Sequence, residues 1–283
     1  LDKLTTGNVM DALQGQVNGV QVTNSGSPGS APRVIIRGAT TVNGSDPLYV
    51  VDGMPVGTNI NFLDQNDIAS MEVLKDASAE AIYGTRGSNG VILITTKKGE
   101  KGKVKFTASA SMGLQTMSKP SIAGASEYEQ VFDTRYTNDG NTSTYKGIQN
   151  ITDAQGTNWW NECMRDVSLM HSYNFGFSGG NDKLLYSANI GYFRQNSQYK
   201  TGYWQKINAR FSMEYNFNKI VKAGIDLNPR YENWADTPDL IGAIMGMDPT
   251  TPIMRDKSEW TDNEYSNYAR STNNETWNPV APM

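Results

Sequence analysis

The chain has 283 residues, enough for about two domains. Hydrophobic residues are 37% and mean hydropathy is -0.54. The longest apolar runs, Tyr49–Val51 and Val91–Ile94, fall far short of the ~20 residues a membrane-crossing helix needs, which excludes a helical membrane protein but not a β-barrel, whose strands carry apolar residues at every second position. The net charge of -4, with acids and bases interspersed, argues against a nucleic-acid partner. The single cysteine, Cys163, has no internal disulfide partner, and together with one histidine, His171, it argues against a zinc site. No leader-like charged and apolar regions follow Leu1, and the chain stops at Met283 in a polar stretch. Both ends are therefore expected to be cut points in a longer protein.

In chain order, residues 1–100 read as a compact α+β domain. Asn8 caps a short helix over Val9–Gln14, because its side chain can accept a free backbone N–H. Strands follow at Val20–Thr23, Arg33–Arg37 and Leu48–Val51, the last ending in Asp52-Gly53, a strong hairpin signal. A strand at Met71–Leu74 leads to a helix over Ala77–Tyr83, capped by Asp76 and stopped by Gly84. Val91–Thr96 closes the domain as a buried strand.

Residues 101–283 read as β throughout. From Lys103 the side chains alternate: Val104, Phe106, Ala108, Ala110, Met112 and Leu114 on one face, with Lys105, Thr107, Ser109 and Ser111 on the other. The same rhythm recurs around Tyr173–Phe177, Tyr186–Tyr192, Ile207–Phe217 and Val221–Leu227, making about five strands. The connections run long, short, medium, short, long. Outer-membrane barrels alternate in this way, with short turns on one side and longer loops on the other. Periodicity alone leaves a soluble sandwich open as the alternative. Tyr173, Tyr192, Trp204, Tyr215 and Trp234 near the strand ends suit an interfacial aromatic belt or ordinary core edges.

Few residues point to bond chemistry. Gly84-Thr-Arg-Gly-Ser-Asn-Gly90 lacks the Gly-Lys-Ser/Thr ending of a phosphate loop and follows a helix, so it reads as a turn. Asp52 reads as a turn residue, and Glu72, Asp76 and Glu80 have no evident acid–base partner. Cys163 and His171 have no third group to orient them as a nucleophile–base pair. An enzyme is not expected, and no cofactor is implied.

Four segments together resemble the SusC/RagA family of TonB-linked outer-membrane transporters. They are Asp11-Ala-Leu-Gln-Gly-Gln-Val-Asn-Gly-Val-Gln-Val22, Arg33-Val-Ile-Ile-Arg-Gly38, Pro47-Leu-Tyr-Val-Val-Asp-Gly-Met-Pro-Val56, and the long Asp67-Ile-Ala-Ser-Met-Glu-Val-Leu-Lys-Asp-Ala-Ser-Ala-Glu-Ala-Ile-Tyr-Gly-Thr-Arg-Gly-Ser-Asn-Gly-Val-Ile-Leu-Ile-Thr-Thr-Lys-Lys-Gly99. The resemblance implies an α+β plug domain over 1–100, followed over 101–283 by the first antiparallel transmembrane strands of an incomplete 22-stranded β-barrel. It implies TonB-dependent import across the Gram-negative outer membrane, with membrane lipid around the barrel. A TonB-contacting segment would precede Leu1, a SusD-like surface lipoprotein would act as a lid, and the ligand would be an oligosaccharide or a peptide. A siderophore or vitamin is the alternative cargo, and a soluble glycan-binding adhesin the alternative class.

On that template Thr40–Asp46 and Gly57–Asp64 become apical plug loops. Asn43, Ser45, Asp46, Asn59, Asn61 and Asp64 are their candidate ligand-binding residues. Trp159, Trp160 and Trp260, in the long connections, are candidates to stack on sugar rings or pack against the lid, with packing within the loops as the alternative. Arg33, Arg37 and Arg86 of the plug are candidates for polar contacts with the barrel wall at Arg210, Glu214 and Asp226, or else for plug-internal salt bridges or solvated positions.

Overall fold

A computed structural model describes residues 7–281 apart from positions 16, 25, 37–45, 59, 76, 141–155, 219, 236–239, 256, 260–267 and 270–277. The chain divides into two compact units. One comprises Leu1–Leu114, Leu169–Asn196 and Tyr203–Trp234; the other comprises Gln115–Ser168, Ser197–Gly202 and Ala235–Met283.

The first unit begins with a tight turn of helix at Asp11–Leu13, shorter than the sequence suggests. Asn8 accepts a hydrogen bond from the Met10 N–H at 3.0 Å, but because the helix starts later than expected its N-cap is Met10, without a side-chain cap bond, and Asn8 is not the cap. Strand β1 (Val20–Thr23) pairs antiparallel with β2 (Arg33–Ile36). Then come β3 (Leu48–Val51), β4 (Met54–Gly57), β5 (Ile68–Leu74), helix α1 (Ala77–Tyr83) and β6 (Val91–Thr96). These four strands form a sheet in the order β4-β3-β6-β5, with β3 and β6 parallel. Parallel central strands are covered on both faces, which is why β3 and β6 are nearly unbroken apolar runs. Asp52 (φ 49°) and Gly53 (φ 85°) make the tight β3–β4 turn. Val9, Met10, Leu13, Val34, Ile36, Ile60, Leu63, Ile92 and Ile94 pack into one core. Ala79 of α1 closes a smaller one on Leu48, Val50 and Val91.

The same unit holds a second sheet of long strands: β7 (Gly102–Gln115), β8 (Ser168–Gly180), β9 (Leu184–Asn196), β10 (Tyr203–Asn216), β11 (Lys222–Leu227) and β12 (Arg230–Ala235). Their order is β11-β10-β9-β8-β7, and β12 also pairs with β10. β11 and β12 therefore form one long fifth strand broken at Pro229, which has no N–H for the ladder; its carbonyl still accepts from Ala209 N at 2.9 Å. The sequence pattern extends this strand only to Leu227, because the break masks the continuation.

The two faces of this sheet differ. Phe106 (70% exposed), Phe175 (49%) and Leu227 (50%) lie open on one face with Ile190, Ile207, Phe211 and Ile225. The opposite face presents Phe193, Trp204, Lys206, Asn208 and Arg210, all buried. In a soluble sandwich the apolar faces would close on each other; here they are uncovered, as in a strand wall facing lipid. The 14 residues of β10 span about 45 Å, enough to cross a ~30 Å hydrocarbon layer at a ~45° tilt. Tyr173 and Tyr192 stack on the open face with ring centres 6.4 Å apart, and Tyr215 meets Phe217 edge-on at 4.8 Å. Trp204 departs from the expected belt, since it turns to the covered face.

The second unit consists of the connections outside the long strands. It contains helices α2 (Ala125–Asn138), α3 (Trp159–Cys163) and α4 (Ile241–Gly246), none of which the strand rhythm predicts. Its core is Trp159, Trp160, Cys163 and Met164 against Leu240, Ile244 and Met247. Lys200 N donates to Cys163 O at 2.9 Å and Leu240 N to the Tyr199 hydroxyl at 3.1 Å, so all three segments are tied together.

Candidate functional site

The richest cluster of buried polar groups lies where the N-terminal domain meets the covered face of β9 and β10. Alternation places Lys206, Asn208 and Arg210 on that face, opposite Phe193, Gly191 and Asn189 of β9 respectively. The Lys206 row and the Arg210–Asn189 row supply the contacts. Lys206 Nζ donates to the Gly7 carbonyl at 2.6 Å and stands 4.0 Å from the Asp64 carboxylate. Asn189 Nδ2 donates to Asp67 Oδ1 at 2.8 Å. Arg210 Nη2 donates to Thr96 Oγ1 at 2.6 Å and to Asp226 of β11 at 2.6 Å, and lies 3.4 Å from Asp52. The Thr96 hydroxyl in turn donates to Asp52 Oδ2, and Thr96 N donates to Asp52 Oδ1 at 3.0 Å.

The local sequence explains these positions. The Asp52-Gly53 turn folds the Asp52 carboxylate back over the end of β6, where the Thr96 N–H is free to reach it. Asp64 caps the turn at Gln65–Asp67 by accepting from Asn66 N at 2.9 Å, which fixes both Asp64 and Asp67 against the strand wall. Partial burial works against ionisation of Asp52, but the Thr96 hydrogen bonds, Arg210 and Lys98 outweigh it and hold the carboxyl below its ordinary range. Asp67 is the reverse case. Burial above all, then the charge of Asp64, pushes its pKa up to about 6 against the pull of Asn189, Arg210 and Lys97.

That shift has a testable sign. The native state holds the Asp67 proton more tightly than the unfolded chain, whose value lies near 3.8. Asp67 therefore contributes stability that is complete below about pH 4 and is lost as the pH rises through about 6. Asp67→Asn keeps an oxygen for Asn189 but carries no charge. Its urea midpoint should exceed that of the parent at pH 7.5 and match it near pH 4; equal midpoints at pH 7.5 would contradict the assignment.

A family model, the TonB-dependent receptor plug domain, matches residues 1–91. TonB-dependent receptor SusC of Bacteroides thetaiotaomicron is 30% identical over 312 aligned residues, covering 100% of this chain. TonB-dependent receptor P26 of Formosa agariphila is 32% identical over 285, covering 97%. A solved structure of the RagAB peptide importer in its closed-closed state superposes with a TM-score of 0.70 at 28% identity over 88% of the chain.

The chain belongs to the SusC/RagA-like TonB-dependent receptors. Its N-terminal domain is the receptor plug, its long strands are barrel wall, and it belongs to the Gram-negative outer membrane. It spans 28% of the P26 receptor's length, 30% of SusC's and 32% of the solved importer chain's.

The remaining candidate residues of the receptor separate by position. Of those proposed for plug–barrel contact, the structure brings Arg210 to the plug's Asp52 and Thr96, while Asp226 pairs with the same guanidinium from within the wall. Glu214 instead pairs with Lys222 across the β10–β11 hairpin at 3.4 Å. Arg33 lies exposed at the start of β2, Arg86 is exposed in the turn after α1, and Arg37 falls outside the described residues. Burial decides this: Arg210 is buried against Asp52 and Thr96 of the plug, whereas Arg86 sits exposed in a turn.

Among the loop candidates, Asp46 is exposed, while Asn61 accepts from Asn8 Nδ2 at 2.6 Å and Asp64 is buried beside Lys206. Asn61 and Asp64 are thus engaged within the plug and its wall contact rather than presented on an open loop. Asn43, Ser45, Asn59 and Trp260 lie outside the described residues. Trp159 and Trp160 do not present open faces: they are 2% and 6% exposed in the loop core, and the Trp159 indole donates to Asp248 O at 2.9 Å. An indole this large anchors a loop wherever the chain can close over it. Cys163 is buried and its thiol is pushed up to about 11 by burial and Glu162, so it is no activated nucleophile. His171 sits by the rings of Tyr173 and Tyr192.

Sequence reasoning missed Thr96, Asp67, Asn189 and Lys206. The inward alternation of β10 was available for Lys206, because it shares its face with Arg210. Thr96 and Asp67 become visible only once the plug's turns are placed.

Proposed function

We propose that the receptor containing this chain imports an oligosaccharide or a peptide across the outer membrane, powered through TonB and covered by a SusD-like surface lipoprotein. The observation that carries this reading is the junction itself: a domain matching the TonB-dependent plug model, held by buried polar contacts against a strand wall whose other face is open and apolar. Discrete polar contacts suit a domain that must be held yet be displaceable, because they can be exchanged for water while a continuous apolar interface cannot. No bond in the cargo is made or broken, and the relatives are receptors rather than enzymes, which supports the non-catalytic reading.

Cargo is the finer question. The family resemblance favours an oligosaccharide, and the peptide importer at 28% identity keeps peptides as the rival. Cells lacking the intact receptor gene, with and without a plasmid copy, separate the two when offered labelled oligosaccharide or labelled peptide. Receptor-dependent uptake of oligosaccharide alone is the expected result. Receptor-dependent uptake of peptide alone would reverse the cargo, and uptake of neither would end the proposal.

A further inference from the structure

We propose that Gly7, Lys206, Trp204 and Phe193 form a clasp that latches the plug's N-terminal segment to the barrel wall and sets its resistance to a pull from the N-terminal side. This rests on the TonB-driven reading above. Lys206 is 3% exposed, yet its ammonium reaches across to a plug backbone carbonyl, Gly7 O, at 2.6 Å. The same ammonium is 5.5 Å from the centre of the Trp204 ring and 4.0 Å from Asp64, so its charge has a π face and a carboxylate beside it.

Shape makes the contact specific. A Cβ on Gly7 would collide with Trp204 Cζ3 and lie 2.5 Å from Phe193 Cε1. A Cβ on Gly29 would lie 2.9 Å from the same indole. Trp204 is therefore gripped by two backbone stretches of the plug that carry no side chain, and Phe193 supports it with ring centres 5.3 Å apart. A side chain at position 7 must displace these rings or lift the segment from the wall, and either change disturbs the contact with Lys206.

The order of contacts along the chain turns this into a device. Among the described residues, a load entering before Gly7 meets the clasp first. Next comes the Asn8–Asn61 hydrogen bond at 2.6 Å, and only then Val9, Met10 and Leu13 in the plug core. One charged hydrogen bond and one ring contact give way before a packed core does. The clasp thus separates release of the segment from disruption of the plug.

Hydrogen exchange on the intact receptor in detergent micelles tests this. Lys206→Met keeps the apolar stem and removes the ammonium. It should speed exchange of the amides at 8–13 by roughly ten-fold or more, the scale of losing a charged hydrogen bond, while those at 91–96 keep their rates. Gly7→Ala should act in the same way. In a background carrying both Trp204→Ala and Phe193→Ala, where neither ring blocks a Cβ, Gly7→Ala should add nothing. Unchanged exchange at 8–13 in both single variants would overturn the clasp. So would an equal acceleration at 91–96, which would mean that Lys206 supports the plug as a whole. Single-molecule pulling from the N-terminus gives a mechanical arm: the first force peak should be lost in Lys206→Met, and its retention would count against the clasp. If exchange and force behave as expected while uptake proves independent of TonB, the clasp stands and the energising partner is wrong.

Discussion

Arg210→Met should loosen the plug from the barrel wall by about 2–3 kcal/mol, one of the two largest effects expected in the chain. Removing one partner of a buried ion pair generally costs about 3–5 kcal/mol because the other charge is left uncompensated. The lower figure applies here because Asp226 is 44% exposed at its side chain and Asp52 keeps both bonds from Thr96. Methionine fills most of the vacated space, so the change reports on charge more than on volume. At neutral pH the contact is fully in force: the depressed pKa of Asp52 gives stability that is present above about 3.8 and lost only as the pH falls through its lower folded value. Exchange of the β3 and β6 amides in the intact receptor should accelerate, and Asp52→Asn in the same molecule should recover part of the loss by removing the stranded charge. Lys101→Met serves as the control. Its pair with Asp182 is exposed on both sides (64% and 88%), and its loss should leave plug exchange unchanged. If Arg210→Met behaves like the control, Arg210 does not hold the plug.

What was legible in advance follows from the range of the forces involved. The strand rhythm after Lys103 is local and strict, because successive side chains of a strand point to opposite faces of the sheet; β7 to β11 therefore appear in the pattern itself. The plug's parallel strands were legible as short apolar runs bounded by Asp52-Gly53 and Gly84, both of which adopt the positive φ that their turns need. Arg210 and Asp226 were legible as charges on a covered face. Their partners were not, because Asp52 and Thr96 are 44 residues apart and meet only through the hairpin that turns Asp52 back. The loop helices escaped for a different reason. Residues 125–138 carry no strong apolar stripe, and α3 and α4 are too short to show a helical period. Trp159 and Trp160 looked like surface aromatics only because the segment that buries them, around Leu240–Asp248, lies some eighty residues further along the chain.

Trp159→Ala is the second large effect, and it decides what the loop tryptophans do. Trp159 is among the largest fully buried side chains, and truncating such a residue generally costs about 3–5 kcal/mol. The Trp159 indole N–H also spans 89 residues to Asp248 O, joining the segment before β8 to the segment after β12, so its loss should undo the core of α3 and α4 rather than dent it. Cys163 supplies a built-in probe. Buried and with its thiol pushed up to about 11, it should resist alkylation in the parent and be labelled readily in Trp159→Ala. Trp159→Phe retains most of the apolar volume but not the N–H donor, and should cost about 1–2 kcal/mol with Cys163 still protected. A ligand-stacking role predicts another pattern: Trp159→Ala would lose cargo binding with Cys163 as protected as before, because an exposed ring can be removed without opening a core. Labelling of Cys163 in the alanine variant but not in the phenylalanine variant therefore assigns Trp159 to holding the loops together. Cargo recognition then falls to residues that this core positions rather than to the indole itself.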